Sequence, residues 1–161
     1  MKIKEKVAEI LNSGKSMGLM MVARSAGCTE LEAAESLKDE DKLILDGSEF
    51  DRVYSFLQGF NDLTFFIEKG GNIFENRVKL GNGKDGMGYF NLFDEGCLNG
   101  HLQKSSVYKI ALLKIPFMNL TSYQTVFFDK DGNSLYSFYL SRTNHKHDEA
   151  EVQIFTQFLR G

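Results

Sequence analysis

The chain has 161 residues, of which 42% are hydrophobic and 25% charged, with a formal net charge of −3. These proportions are typical of a soluble globular domain and exclude a disordered chain or a disulfide-rich miniprotein. The longest stretch without a charge, Ile115 to Phe128, is far shorter than the roughly 20 apolar residues that a membrane span needs. Together with only two cysteines, Cys28 and Cys97, this composition predicts a cytoplasmic protein with reduced thiols.

Apolar residues recur at helical spacing in the first 60 residues, which predicts a helical segment. Thr29, followed by Glu32 three residues on, has the pattern of a capping box and predicts the start of one helix. The four predicted helices are one carrying Ile3, Val7, Ile10 and Leu11 that ends at Ser13-Gly14, and three over Gly18 to Ala26, Thr29 to about Leu37, and Ser48 to Gln58.

Beyond Asn61 the pattern changes to short strands separated by turn residues, and a last helix is predicted from His147 to Arg160. Gly70-Gly71-Asn72 and Asp131-Gly132-Asn133 each predict a hairpin between the strands on either side. The predicted strands are Leu63–Ile67, Ile73–Leu80, Met87–Phe93, Cys97–Gln103, Val107–Ile115, Thr125–Phe128 and Leu135–Leu140. Because helices and strands are segregated along the chain, we predict an α+β fold with an antiparallel sheet. It would form a single domain over residues 1–161, with a helical part at 1–60 and a sheet with a closing helix at 61–161.

The early helices are compatible with a helix-turn-helix in which Thr29–Leu37 would be the recognition helix. That helix carries Glu30, Glu32 and Glu35, and residues 1–60 hold 8 basic against 11 acidic side chains. Acidic side chains would face the phosphates whose neutralisation supplies most non-specific affinity for DNA. The sequence therefore favours a helical scaffold over a nucleic-acid-binding element.

Two other motifs favour structural interpretations. Gly81-Asn82-Gly83-Lys84-Asp85-Gly86 matches the GxGxxG pattern, but a strand follows it where a dinucleotide site needs a helix, so we predict a flexible loop. His145 and His147 form a pair just before the last helix, and without further ligands they favour a solvated helix start over a metal site.

Tyr89 and His101 are the most chemically suggestive residues of the predicted strands. Alternation places residues 87, 89, 91 and 93 on one face of their strand, and residues 97, 99, 101 and 103 on one face of the next. A three-residue loop ending at Gly96 would pair Phe93 with Cys97 and therefore Tyr89 with His101. Such a pair can transfer a proton, bind a metal or share a hydrogen bond, and the residues alone favour the hydrogen bond.

Several short segments occur in an order that resembles the ChuX/HutX family of bacterial haem-utilisation proteins. They are Gly88-Tyr89-Phe90-Asn91-Leu92, Gly100-His101, Ile110-Ala111-Leu112, Phe117-Met118, Phe127-Phe128, and Ser141-Arg142 with His145. The resemblance is densest from Gly88 to about Phe158. It is weaker over the N-terminal helices, where the segment from Lys42 to Leu57 follows the residue pattern of the family.

The resemblance implies a cytoplasmic homodimer with a saddle-like antiparallel sheet that binds ferric haem b. Such a protein receives imported haem and passes it to a haem-degrading or storage partner, and it needs neither nucleic acid nor a membrane. The family's tyrosine and histidine become Tyr89 and His101, which would bind the iron, and a phenolate or an imidazole suits ferric haem. Met87 is a further candidate for contact with the porphyrin, and Arg142, Lys84 and Arg77 are weaker candidates for pairing with its propionates.

One position departs from the family pattern. Members carry a histidine near the end of the first strand of the sheet region, where this chain has Glu68, and no histidine precedes His101. A non-enzymatic carrier is the favoured interpretation. The alternatives are a haem-degrading or haem-modifying enzyme and a helix-turn-helix regulator that responds to haem or a metal.

Overall fold

The computed structural model describes residues 2–15 and 18–161, which contain five α-helices and nine β-strands. The helices are α1 (Ile3–Asn12), α2 (Leu19–Ala26), α3 (Glu30–Glu35), α4 (Phe50–Gln58) and α5 (Glu149–Leu159). The strands are β1 (Lys42–Asp46), β2 (Leu63–Lys69), β3 (Asn72–Val78), β4 (Gly83–Gly86), β5 (Tyr89–Leu92), β6 (Gly100–Leu102), β7 (Lys109–Phe117), β8 (Leu120–Phe128) and β9 (Ser134–Leu140).

The five helices lie where the apolar spacing predicts them. In α3 the Thr29 side chain accepts a hydrogen bond from the Glu32 amide, and the Glu32 carboxylate accepts one from the Thr29 amide, so the capping box is confirmed. These two bonds satisfy amide groups that the start of a helix otherwise leaves without a partner.

Six strands form one antiparallel sheet, in the order β1-β7-β8-β9-β2-β3. The first strand, β1, was not predicted, and it joins the sheet from within the segment expected to be helical. It pairs with β7, with Ile44 opposite Ala111. Five residues are too few to show a clear periodicity, so only the partner strand identifies β1 as a strand.

Two of the predicted hairpins are confirmed, and the structure contains one further hairpin that was not predicted. Gly70 and Gly71 connect β2 to β3, and Asp131-Gly132-Asn133 lies between β8 and β9. In addition, β7 and β8 continue to a tight turn at Met118-Asn119, where Phe117 pairs with Leu120. Strand β8 begins at Leu120, where Thr125 was predicted, and β7 ends at Phe117, where Ile115 was predicted, because the Asn, Thr and Ser residues near this turn obscure the strand pattern.

Each face of the large sheet carries its own hydrophobic core. Helices α1 to α3 cover one face over β1, β7 and β8, where Ala111, Leu113 and Val126 are buried. Helices α4 and α5 cover the other face, where Phe127 and Phe138 are buried. The segregated helices and antiparallel sheet confirm the α+β prediction. Within the described ranges, no helix is long and apolar enough to cross a membrane.

Candidate functional site

A second, three-stranded sheet in the order β4-β5-β6 carries the site. Its first strand lies where the GxGxxG match predicted a flexible loop, so that prediction was wrong. Gly83 to Gly86 pair with β5, and the two-residue turn Met87-Gly88 has positive φ angles of 56° and 83°. Met87 therefore lies in the turn and not in the strand where it was expected.

The small sheet is attached to α4 by an inward-facing aromatic residue. Phe90 is 8% exposed, and its ring lies 5.4 Å from the Phe50 ring and 4.9 Å from the Tyr54 ring, both in edge-to-face contact. The Tyr54 hydroxyl also donates a hydrogen bond to the Gly81 carbonyl at 2.7 Å. Burial, with a smaller contribution from Cys97, raises the pKa of Tyr54 to about 12, so this hydroxyl keeps its proton at neutral pH.

A lysine from the end of the small sheet adds a second attachment. The Lys104 ammonium lies 2.7 Å from an Asp51 carboxylate oxygen on α4 and 3.0 Å from one of Asp85 on β4. It also lies 4.5 Å from the centre of the Phe90 ring, within the range of a cation–π contact. The small sheet is therefore packed firmly against α4 and is not a free hairpin.

The register of β5 and β6 differs from the predicted one by two residues. His101 pairs with Asn91, whereas the three-residue loop predicted a pair with Tyr89. Gly96 has the expected left-handed conformation, with a φ of 77°. However, the Asn99 side chain donates to the Asp94 and Cys97 carbonyls, and the Leu98 amide donates to Lys79, so residues 97–99 stay in the loop.

The outer face of the small sheet nevertheless brings Tyr89 and His101 together. A register change of two residues leaves every side chain on its original face. The Tyr89 and His101 rings have centroids 5.8 Å apart and planes at 62° to each other. Met87, Tyr89, Asn91, Phe93 and His101 line an open depression of about 630 Å³. Met87 is 97% exposed and Tyr89 46% exposed, so the depression is accessible.

His101 is held in place on this face by two neighbours. Its Nδ1 lies 2.7 Å from the Asn91 side-chain oxygen. On the side away from Tyr89, the Phe93 ring packs edge-to-face with its centroid 5.5 Å from that of the imidazole. Two potential iron ligands, a phenol and an imidazole, thus lie next to each other on one exposed surface with apolar side chains around them.

Of the four predicted site residues, Arg142 is the one placed elsewhere. It follows β9 in the large sheet, and its side chain donates a hydrogen bond to the Thr121 carbonyl at 2.5 Å. Its backbone carbonyl accepts a hydrogen bond from the Arg77 side chain. Arg77 in turn forms an ion pair with Asp62. Lys84, by contrast, pairs with Asn91 across β4 and β5, and is therefore an exposed cation on the face of Tyr89 and His101.

The Glu68 position and the pair of late histidines are also away from the depression. Glu68 accepts a hydrogen bond from the Gly71 amide in the β2–β3 turn at 2.9 Å. Both ring nitrogens of His147 lie 3.1 Å from backbone carbonyl oxygens, of Ser141 and Thr121. Among the described residues, no group of three or more His, Cys, Asp or Glu side chains could hold a metal ion.

A more enclosed cavity of about 240 Å³ was not predicted from the sequence. It lies between α2 and the large sheet, and its lining includes Met20, Phe66, Tyr139 and Glu30. Burial raises the pKa of Glu30 and that of Tyr139, and the charge of Glu75 adds to the effect on Tyr139. The cavity combines residues distant in the sequence, so no local motif indicates it.

A match to a known protein family covers the segment that contains the candidate site. The model of the haem utilisation ChuX/HutX family matches residues 43–158, which include the whole small sheet. The chain belongs to this family. It is 28% identical over 141 residues to the intracellular haem transport protein HutX of Vibrio cholerae, a match that covers 87% of this chain and 73% of HutX.

Two solved structures share the fold of this ChuX/HutX family member over nearly its whole length. A protein from Erwinia carotovora aligns with a TM-score of 0.88 at 24% identity, covering 99% of this chain and 97% of its own. The haem-binding protein ChuX aligns with a TM-score of 0.83 at 25% identity, covering 95% and 96%.

Proposed function

We propose that this chain is a non-enzymatic carrier that binds ferric haem b on the outer face of the small sheet. The observation that carries the proposal is the pair of Tyr89 and His101 on one exposed surface, with ring centroids 5.8 Å apart. HutX, to which the chain is 28% identical, is an intracellular haem transport protein, and ChuX is a haem-binding protein. Family membership and the donor set therefore support the same cargo.

The geometry favours one iron ligand and one supporting group. Tyr89 and His101 project from the same surface, so both would contact the same side of a bound haem. Tyr89 would bind the iron, because an anionic phenolate oxygen suits Fe(III). His101 would support that ligand through its ring nitrogen, and Met87 and Phe93 would pack against the porphyrin.

The openness of the site supports transfer of the haem. Met87 at the rim of the depression is 97% exposed, so a haem bound there would remain accessible to another protein. The exposed Lys84 on the same face is our candidate for a propionate contact, in place of Arg142. We further propose that the chain acts in the cytoplasm as a homodimer and delivers haem to a degrading or storage partner. The exposed Ile73 and Phe74 on the edge strand β3 support a contact between two copies.

The experiment is a titration of the haem-free protein with ferric haem, with a matched pair of tyrosine variants. We expect Tyr89→Phe to weaken binding by at least about tenfold and to abolish the phenolate-to-iron charge-transfer band. Tyr139→Phe makes the same chemical change in the enclosed cavity and should leave both unchanged. If Tyr139→Phe abolishes the band and Tyr89→Phe preserves it, the haem occupies the enclosed cavity and the proposed site is wrong.

A second measurement distinguishes a carrier from an enzyme. The haem-loaded protein is incubated with oxygen and a reductant, and the pigment is extracted. A carrier is expected to return intact haem, whereas a ring-opened product would assign the chain to the haem-degrading alternative.

A further inference from the structure

The side chain of Asn91 connects all three strands of the small sheet. Asn91 lies on the central strand, with Lys84 opposite on β4 and His101 opposite on β6. Its amide nitrogen is 3.0 Å from the Lys84 carbonyl oxygen and 3.1 Å from the Gly86 carbonyl oxygen. It is therefore bonded to the backbone of β4 on one side and in contact with the imidazole of β6 on the other.

These contacts determine which way the Asn91 amide faces. An NH2 group has two protons to donate, and the carbonyl oxygens of Lys84 and Gly86, which only accept, are its two nearest partners; the Tyr89 carbonyl oxygen lies at 3.4 Å. A flipped amide would place its oxygen against these carbonyl oxygens and lose both bonds. The Asn91 oxygen must therefore be the atom 2.7 Å from Nδ1 of His101.

The orientation of the amide in turn determines the tautomer of His101. A carbonyl oxygen cannot donate, so Nδ1 of the neutral imidazole must carry the proton in this bond. The other nitrogen, Nε2, then keeps its lone pair. We infer that Asn91 is a positioning residue that holds neutral His101 in the Nδ1–H tautomer and leaves Nε2 free to serve the haem site.

The inference rests on the proposed function only where it states that Nε2 of His101 acts at a haem site. Histidines at metal sites commonly donate their second ring N–H to a carbonyl or carboxylate, which orients the ring. Asn91 and His101 show this arrangement. Ring contacts with Tyr89 and Phe93, at 5.8 and 5.5 Å between centroids, restrict rotation of the same imidazole.

The first test observes the tautomer directly in the haem-free protein. The chain has 3 histidines, so its ¹⁵N–¹H imidazole correlation spectrum is simple, and His101→Gln assigns the signals of His101. At about pH 8.5, where an ordinary imidazole is neutral, we expect the Nδ1–H pattern for His101, with exposed His145 as the reference. An Nε2–H pattern for His101 would overturn the inference. This outcome does not depend on whether the protein binds haem.

The second test changes the acceptor. Asn91→Leu removes the oxygen, so we expect the Nδ1–H pattern to be lost and ferric haem affinity to fall about 10–100-fold. Asn91→Asp keeps an acceptor toward His101 and should keep the Nδ1–H pattern, although it loses the bonds to β4. If Asn91→Leu is folded and retains both the wild-type tautomer and the wild-type affinity, Asn91 does not position His101. Failure of the wild-type protein to bind haem would instead refute the proposed function.

Discussion

Replacing Gly83 with alanine is expected to separate the small sheet from α4. A Cβ at Gly83 would lie 1.9 Å from Cζ of Phe90 and within 2.4 Å of both neighbouring ring carbons. The ring cannot easily move away, because it packs against Phe50 and Tyr54 and under the Lys104 ammonium. One added methyl group thus conflicts with a residue that is 8% exposed.

The size of the effect follows from overpacking. Extra atoms in a filled core cost about 1–3 kcal/mol, and for a chain of this length each kcal/mol lowers Tm by about 2–4 °C. Gly86→Ala is the matched control on the same strand, since its Cβ would lie 3.5 Å from the Asn91 amide nitrogen, an ordinary contact. We expect that variant to stay within about 0.5 kcal/mol of the wild type.

Thermal unfolding, monitored by circular dichroism, measures the difference in melting temperature between the two variants. Gly83→Ala should also weaken ferric haem binding, because Tyr89 and Asn91 flank Phe90 on the strand that the methyl group displaces. Equal melting temperatures for Gly83→Ala and Gly86→Ala would refute the claim that the Phe90 ring occupies the space beside Gly83. In that case the small sheet would be mobile, as the GxGxxG match alone suggests.

Two further predictions concern charges outside the depression. Burial raises the pKa of Glu30, so its contribution to stability is present at low pH and is lost as the pH rises through that pKa. Glu30→Gln should therefore raise Tm at pH 7, by an increment that shrinks near pH 4, and an equal increment at both pH values would contradict this reasoning. Lys104→Met keeps the apolar stem but loses the ion pairs with exposed Asp51 and Asp85, so we expect a loss of about 1 kcal/mol or less. The free energy of unfolding, measured in urea, should differ less between Lys104→Met and the wild type in about 1 M salt. A loss that does not depend on salt would indicate lost packing instead of lost ion pairs.

The elements that local chemistry specifies could be predicted from the sequence. The Thr29–Glu32 capping box, the turn at Gly70-Gly71 and the apolar stripe of α1 each depend on residues within a few positions of one another. Strands β1 and β4 could not be predicted in the same way. A run such as Gly83 to Gly86 has low strand propensity, and it becomes a strand because β5 offers a partner and Phe90 needs the space beside a glycine.

The candidate site shows the same division. Tyr89 and His101 could be placed on one face from the sequence, because side chains alternate along a strand and an even change of register preserves the face. The residue that pairs with His101 could not be predicted. Hydrogen bonds of Leu98 and Asn99 keep these residues in the loop, and the turn residues do not indicate those bonds. The distance of Arg142 from Tyr89 could not be predicted either, because sequence order carries no information on the distance between two sheets.

The sequence alone therefore determined the α+β class, the family and the chemical identity of the two candidate ligands. These properties follow from residue types and short spacings, which survive small errors in register. Only the tertiary structure decided that the small sheet is seated on α4, that His101 pairs with Asn91, and that Lys84 and not Arg142 shares the face of Tyr89. Each of these depends on contacts between segments that are distant along the chain, whose geometry is set by packing.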